Sequence, residues 1–199
     1  MTTTLEGGFA SASEDSARIF RSALNAMARP GQIETVSGIA PPSPLSAAAG
    51  ALLLTLADHE TPVFLAGAYD CAGLREWLAF HTGASFVGRA EAAFAVGTWS
   101  DLAPIDAYRT GTSEYPDRAV TLIVEMDELS ASGALLQGPG IESHASLILP
   151  DTDILEFNAA RFPLGIDMFL VAGGNMAAVP RTTRLALSLI HISEPTRPC

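Results

Sequence analysis

The chain has 199 residues, 48% of them hydrophobic and 17% charged, with a formal net charge of −11. Its eleven basic residues are all arginine, and the absence of lysine excludes a Schiff base to pyridoxal phosphate and a Walker-type phosphate lysine. An acidic chain without lysine is also a poor general binder of nucleic acid, although a GC-rich genome suffices to produce such a composition.

The length suits one domain with a sizeable core, and the low charge suggests that a partner covers part of its surface. Two cysteines, Cys71 and Cys199, do not make a disulfide framework, so a reducing compartment is expected. The opening "MTTTLEGGF" lacks the basic and apolar regions of a secretory signal. The longest apolar run, "LSAAAGALLLTLA" (45–57), is shorter than the about 20 residues needed to span a bilayer. The expected setting is the cytoplasm.

Taken in chain order, "SASEDSARIFRSALNAMARPG" is the clearest helix. Ser11 and Glu14 have capping-box spacing. Phe20, Leu24 and Met27 fall on one apolar face, Arg18, Arg21 and Asn25 on another. Arg29-Pro30-Gly31 ends the helix. In "APPSPLSAAAGALLLTLADHETP", Ser43 is placed to cap and Pro44 to open a second helix, apolar on most sides and therefore buried. "PVFLAG" (62–67) reads as a core strand and "CAGLREWLAFHTG" (71–83) as a third helix. "ASFVG" and "EAAFAVG" read as short strands, and "SDLAPIDAYRTG" as a short helix broken at Pro104. "RAVTLIVEM" (118–126) is a buried strand, with which "GALLQGPGI" (133–141) is expected to form a hairpin. "DTDILEFNAARF" (151–162) is a helix with acids in its first turn. "GIDMFLVAGGNMAAVPR" is a strand, a Gly-Gly-Asn turn and a strand. The fold class expected is α/β, a single mixed-sheet domain over 1–185. The tail 186–199, "ALSLIHISEPTRPC", breaks the pattern and reads as a non-native vector or adapter scar.

Several residues could carry chemistry. Asp58 and His59 form an acid–base pair or metal ligands, or else Asp58 is a turn residue bonded to nearby backbone, the preferred role. His81 is a general acid–base group or a residue suited to a helix C-terminus. His144 has no signature around it. No HExxH, CxxC or GxSxG pattern occurs, so neither a metal site, a catalytic residue nor a serine hydrolase is assigned. "GPGIES" (138–143) is a turn before it is a phosphate loop, because Pro139 has no N–H to offer an anion. In "VPRTTR" (179–184), Arg181 and Arg184 flank two hydroxyls and are the candidate contacts for an anion or a partner carboxylate. Asp167 sits in an apolar stretch, where an unpaired carboxylate is costly. A turn at 173–175 pairs positions that sum to about 348, and 167 and 181 meet that condition. Asp167 and Arg181 are therefore expected to form a structural ion pair.

The ordered series "F…L.AM.RPG" (Phe20 to Gly31), "LLTLADHETPVFL" (53–65), "FHTGA" (80–84), "TLI" (121–123), "GPGI" (138–141), "FPLGIDMFL" (162–170) and "PRTTR" (180–184) resembles the PhnH family, a subunit of the bacterial carbon–phosphorus lyase system. "FPLGID" with "PRTT" is the most specific element. The resemblance implies a fold similar to pyridoxal-phosphate-dependent transferases without the cofactor machinery, hence no cofactor. It also implies a homodimer in a core complex with PhnG, PhnI and PhnJ subunits. That assembly degrades phosphonates, and its early step attaches a phosphonate to the ribose of a purine nucleoside triphosphate, displacing the base. The displacement chemistry is attributed chiefly to another subunit, so the resemblance assigns no catalytic residue here. The function expected is a non-catalytic assembly subunit. The alternatives are a free-standing small hydrolase or transferase using His81 and Asp58, and a nucleotide-binding module using Arg181 and Arg184.

Overall fold

The computed structural model describes residues 5–186. A six-stranded mixed sheet runs through the centre, built from β1 (Glu34–Thr35), β2 (Val63–Leu65), β3 (Phe94–Thr98), β4 (Thr121–Glu125), β7 (Asp167–Ala172) and β8 (Asn175–Val179). Its order is β1-β8-β7-β4-β3-β2, with β2, β3, β4 and β7 mutually parallel, β8 antiparallel to β7 and β1 antiparallel to β8. Interior strands covered on both faces read as unbroken apolar runs, which explains "LIV" in β4 and "MFLV" in β7.

Alternate residues of each strand enter two different cores. Phe169 and Val171 of β7, with Ile123 of β4, pack under α1 (Ala12–Ala28), α2 (Ala47–Leu56) and α3 (Ala72–Thr82). Met168 and Leu170, with Leu122 and Val124, pack on the other face with Ile154 and Leu155 of α5 (Asp153–Arg161). A second, antiparallel sheet, β6-β5-β9, joins that side: β5 (Ala134–Gln137), β6 (Ala145–Leu147) and β9 (Arg184–Leu185). The result is a mixed α/β fold. Apart from Ala186, the tail expected to be non-native lies outside the described residues.

Four local expectations need correction. Helix α1 buries Ile19, Ala23 and Ala26, while Phe20 and Leu24 are 47% and 52% exposed; of the expected stripe, only Met27 packs against the core. Ile19 and two alanines take this face, where α1 lies against both α2 and β8, and the alanines allow that approach. The Ser11 side chain makes no cap bond; instead its N–H donates to the Asp15 carboxylate at 3.0 Å, so Asp15 does what Glu14 was expected to do. Helix α2 is capped by Ser46 rather than Ser43, the Ser46 Oγ accepting from Ala49 N–H at 3.2 Å. Strand β5 does not pair with β4: both edges of β4 are taken by β3 and β7, and β5 pairs with β6 and β9.

The β7–β8 hairpin turns on two residues, Gly173 and Gly174, so Met168 faces Val179 and Ala172 faces Asn175. Facing positions therefore sum to 347, one less than expected. A short α4 (Trp99–Leu102) follows β3, with a 3-10 turn at Ile105–Ala107 after Pro104.

Candidate functional site

The segments Phe162–Asp167 and Pro180–Arg184 meet at the amino end of β7. The ladder stops after Val179, since Pro180 has no N–H to extend it. The next amide, Arg181 N–H, donates to Asp167 Oδ1 at 2.8 Å. The Arg181 side chain returns to the same carboxylate: Nε lies 3.2 and 3.1 Å from the two oxygens, and Nη2 lies 2.5 Å from Oδ2. Its Nη1 donates to the Pro116 carbonyl at 2.8 Å. Every guanidinium nitrogen of Arg181 is thus engaged within the chain. Arg184 Nη1 donates to the carbonyls of Arg181 and Thr183, at 2.8 and 2.9 Å.

Beneath this pair lies Asn158 of α5, fully buried. Its Nδ2 donates to the Ile166 carbonyl at 2.9 Å, and its Oδ1 accepts from Ile166 N–H at 2.8 Å. One side chain therefore satisfies both backbone groups of the residue before β7. Gly165 sits at φ +148, and a Cβ there would come 2.5 Å from Asn158 Oδ1 and 3.2 Å from Arg181 Cβ, so only glycine lets the two groups close around this turn. Gly165 N–H also donates to Thr110 O at 3.1 Å. Three stretches, 110–116, 158–167 and 180–184, are tied at one point.

The other polar candidates lie apart from this cluster. The Asp58 carboxylate accepts from Glu60 N–H at 2.9 Å and from the Thr61 hydroxyl at 3.0 Å, closing a turn. Those two bonds hold its carboxyl below the usual range. His59 is exposed in the same turn, and His144 is exposed in the loop before β6. His81, near the end of α3, places Nε2 3.0 Å from the Leu5 carbonyl, with its ring against Trp77 and Phe80. The small cavity beside it is lined by Phe9, Ala12, Ser16 and Leu54, not by Asp58. "GPGI" forms a turn, with Ile141 N–H donating to Gly138 O at 3.1 Å. Among the described residues, no three His, Cys, Asp or Glu side chains gather to hold a metal ion. No described helix is long and apolar enough to cross a membrane.

A second polar region occupies the carboxyl ends of the parallel strands, where open α/β sheets characteristically bind ligands. Glu125 ends β4, and its Oε1 accepts from Ser46 N–H at the start of α2, at 2.9 Å. Burial pushes its carboxyl above the usual range, with the Ser46 bond opposing. The Tyr69 phenol is pushed up to about 12, first by burial and then by the negative charges of Glu125, Asp101 and Asp127. Thr98 caps α4, accepting from Asp101 N–H at 3.3 Å and donating to Asp101 Oδ2 at 2.8 Å. The Asp101 carboxylate lies so close to Gly67, at φ +55, that a Cβ there would be 2.3 Å from Oδ2. A cavity of about 510 Å³ opens here, lined by Thr98, Glu125, Met126, Asp127, Glu128 and Ile148. Its carboxylates attract cations and repel phosphates.

The sequence model of the bacterial phosphonate metabolism protein (PhnH) family matches residues 7–186. The chain belongs to the PhnH family. It is similar to the alpha-D-ribose 1-methylphosphonate 5-triphosphate synthase subunit PhnH of Rhizobium meliloti (strain 1021), with 41% identity over 188 residues, 90% of this chain and 94% of that protein. A shorter likeness, 34% over 90 residues, covers 42% of this chain and 46% of HtxG from Stutzerimonas stutzeri, a protein named for a C-P lyase subunit. The family match ends where the tail begins.

Two residues of this PhnH-family chain escaped sequence reasoning. Asn158 lies in a helix whose other polar residues face water, and only its position opposite Ile166 makes it structural. Glu125 had a visible signal, an acid closing the apolar run "TLIV", but its donor comes from a helix 79 residues earlier. A carboxyl raised by folding binds its proton more readily folded than unfolded, so stability is lost as pH rises from the unfolded pKa through the folded one. Glu125→Gln keeps an oxygen for Ser46 and removes the charge. Its Tm should exceed that of the unchanged protein at pH 7.5, and the gap should close as pH falls toward about 4, the ordinary glutamate range. A thermal-melt difference that persists at acid pH would rule out the buried charge as its cause.

Proposed function

We propose that this chain is the non-catalytic assembly subunit of a multi-subunit enzyme that forms ribose 1-phosphonate 5-triphosphate from a phosphonate and a purine nucleoside triphosphate. The reading rests on the 41% identity to a relative named as the PhnH subunit of such a synthase, over 94% of that relative. The geometry supports the structural half of the reading. Asp167, Arg181, Asp58 and His81 all bond to groups of this same chain. None of these contacts sets a nucleophile beside a base, which an acyl- or phosphoryl-transfer site requires.

The finer features of the proposal follow from the family. The partners are PhnG-, PhnI- and PhnJ-type subunits, the chain is a homodimer, and the complex is cytoplasmic. The fold is that of pyridoxal-phosphate-dependent transferases without a cofactor site, which suits a chain with no lysine. Residues 1–185 form the single functional domain and 186–199 are a non-native tail. Any direct anion contact by the "PRTTR" loop falls to Arg184, since Arg181 already donates through all three guanidinium nitrogens.

Co-expression with the three partner types, followed by size-exclusion chromatography, tests the reading. The chain should elute with them, and the purified chain alone should not convert phosphonate and ATP. Failure to co-elute would overturn the proposal. Turnover by the isolated chain, abolished by His81→Ala, would establish the alternative of a free-standing enzyme.

A further inference from the structure

We propose that α1 pairs with the α1 of a second copy of this chain, antiparallel and across a two-fold axis near Ala17; this rests on the homodimer proposed above and says which surface makes it. The core uses one side of the helix, Ile19, Ala23 and Ala26, with Met27 at its margin. The apolar arc does not stop there. Ala17, Phe20, Leu24 and Ala28, three or four residues apart, form a second stripe, and all four are exposed. A surface helix ordinarily turns polar residues to this side. A continuous stripe also differs from the apolar residues scattered singly over an ordinary surface.

The charges beside the stripe select the occupant. Glu14 and Arg21 flank it on the same edge, about two turns apart, with Ala17 between them. Both are exposed, and neither takes part in an ion pair among the described residues. Arg18, further round the helix, is held instead by Asp15 and the Ser37 carbonyl. One acid and one base placed evenly about a small residue are complementary to the same pattern turned end for end. Glu14 then faces Arg21 of the second copy and Arg21 faces its Glu14, so every contact occurs twice, as an isologous interface requires. A parallel pairing would set Glu14 against Glu14 and Arg21 against Arg21, which like charges oppose.

The same register seats the aromatic ring. Ala17 at the crossing lets the two backbones approach closely. Phe20 then falls opposite Asp15 and beside Ser16 of the second copy, next to the hollow of about 110 Å³ lined by Phe9, Ala12, Ser16, Leu54 and His81. An exposed ring on each copy meets an open, partly apolar hollow on the other, and Leu24 lies against the start of the opposite helix.

Analytical ultracentrifugation of the purified full chain tests this pairing. Glu14→Arg and Arg21→Glu, each alone, set like charges against each other at both ends of the contact, and each should raise the dimer dissociation constant about tenfold or more at low salt. The double swap E14R/R21E restores opposite charges and should return the constant to within about threefold of the unchanged chain, a recovery that neither misfolding nor net charge produces. Glu156→Arg, an equal charge change on α5 against the other face of the sheet, should have no effect. Phe20→Ser, at an exposed site, should weaken the dimer as much as either single swap. Absence of recovery in the double swap would overturn the proposal. So would Phe20→Ser leaving the dimer intact while abolishing co-elution with the partner subunits, since the stripe would then serve another subunit. If the unchanged chain is a monomer at about 100 µM, the homodimer reading and this face fall together; if it dimerises and the helix variants have no effect, this face alone falls.

Discussion

Replacing Arg181 with alanine is expected to lower the unfolding free energy by about 2–4 kcal/mol, the cost of breaking a largely buried ion pair from one side. Asp167 and Arg181 side chains are only 23% and 15% exposed, so water replaces the lost partner incompletely. The carboxylate keeps one bond, from Arg181 N–H, which places the loss below that of a fully isolated buried charge. The Pro116 carbonyl loses its donor as well. For a chain of this size, the Tm drop is on the order of 10 °C. Arg181→Lys should recover only part, because one ammonium cannot hold both carboxylate oxygens and also reach Pro116. A double-mutant cycle with Asp167→Asn isolates the pair. A coupling energy under about 0.5 kcal/mol would mean that the two side chains are neighbours without energetic connection.

Asn158→Leu is expected to cost a comparable amount, about 2–5 kcal/mol. The substitution nearly conserves shape but leaves Ile166 N–H and C=O both buried without a partner, at roughly 1–3 kcal/mol each. Asn158→Asp isolates the two halves: it keeps an acceptor for Ile166 N–H, loses the donor to Ile166 O, and places a charge in an apolar site. Urea denaturation of both variants measures the loss. A destabilisation below about 1 kcal/mol for Asn158→Leu would show that the turn before β7 finds other partners. Because Gly165 packs against both Asn158 and Arg181, the effects of substituting these two residues should not be additive.

These effects bear on function through shape. The "FPLGID" and "PRTTR" segments contain residues that fix the start of β7 to α5 and to the chain around Pro116. Their density of polar residues resembled an anion site in one dimension. In three dimensions, all three guanidinium nitrogens of Arg181 already donate within the chain, to Asp167 and to the Pro116 carbonyl.

The hairpin 167–179 was legible because it is local: two apolar runs and a Gly-Gly turn specify each other within a dozen residues, and only the one-residue register shift needed the coordinates. The helices at 12–28, 47–56, 72–82 and 153–161 were legible from apolar patterning and from the Pro and Gly breakers at their ends, although the capping residues of the first two were misplaced. The buried side of α1 was not. Large side chains mark one stripe, yet close approach to α2 and β8 selects the adjacent stripe of Ile19, Ala23 and Ala26, and helical periodicity carries no information about the neighbour's distance.

By itself the sequence determined the α/β class, the excluded lysine chemistry, the family and the turn at Asp58, all of which depend on residue type or short-range order. The tertiary structure alone decided that β5 leaves β4 for β6 and β9, that Glu125 receives its hydrogen bond from Ser46, and that Asn158 closes on Ile166. Strand exchange and buried hydrogen bonds are settled by which partner, near or far in sequence, satisfies a backbone or carboxyl group away from water, and that competition is resolved only when the whole chain has packed.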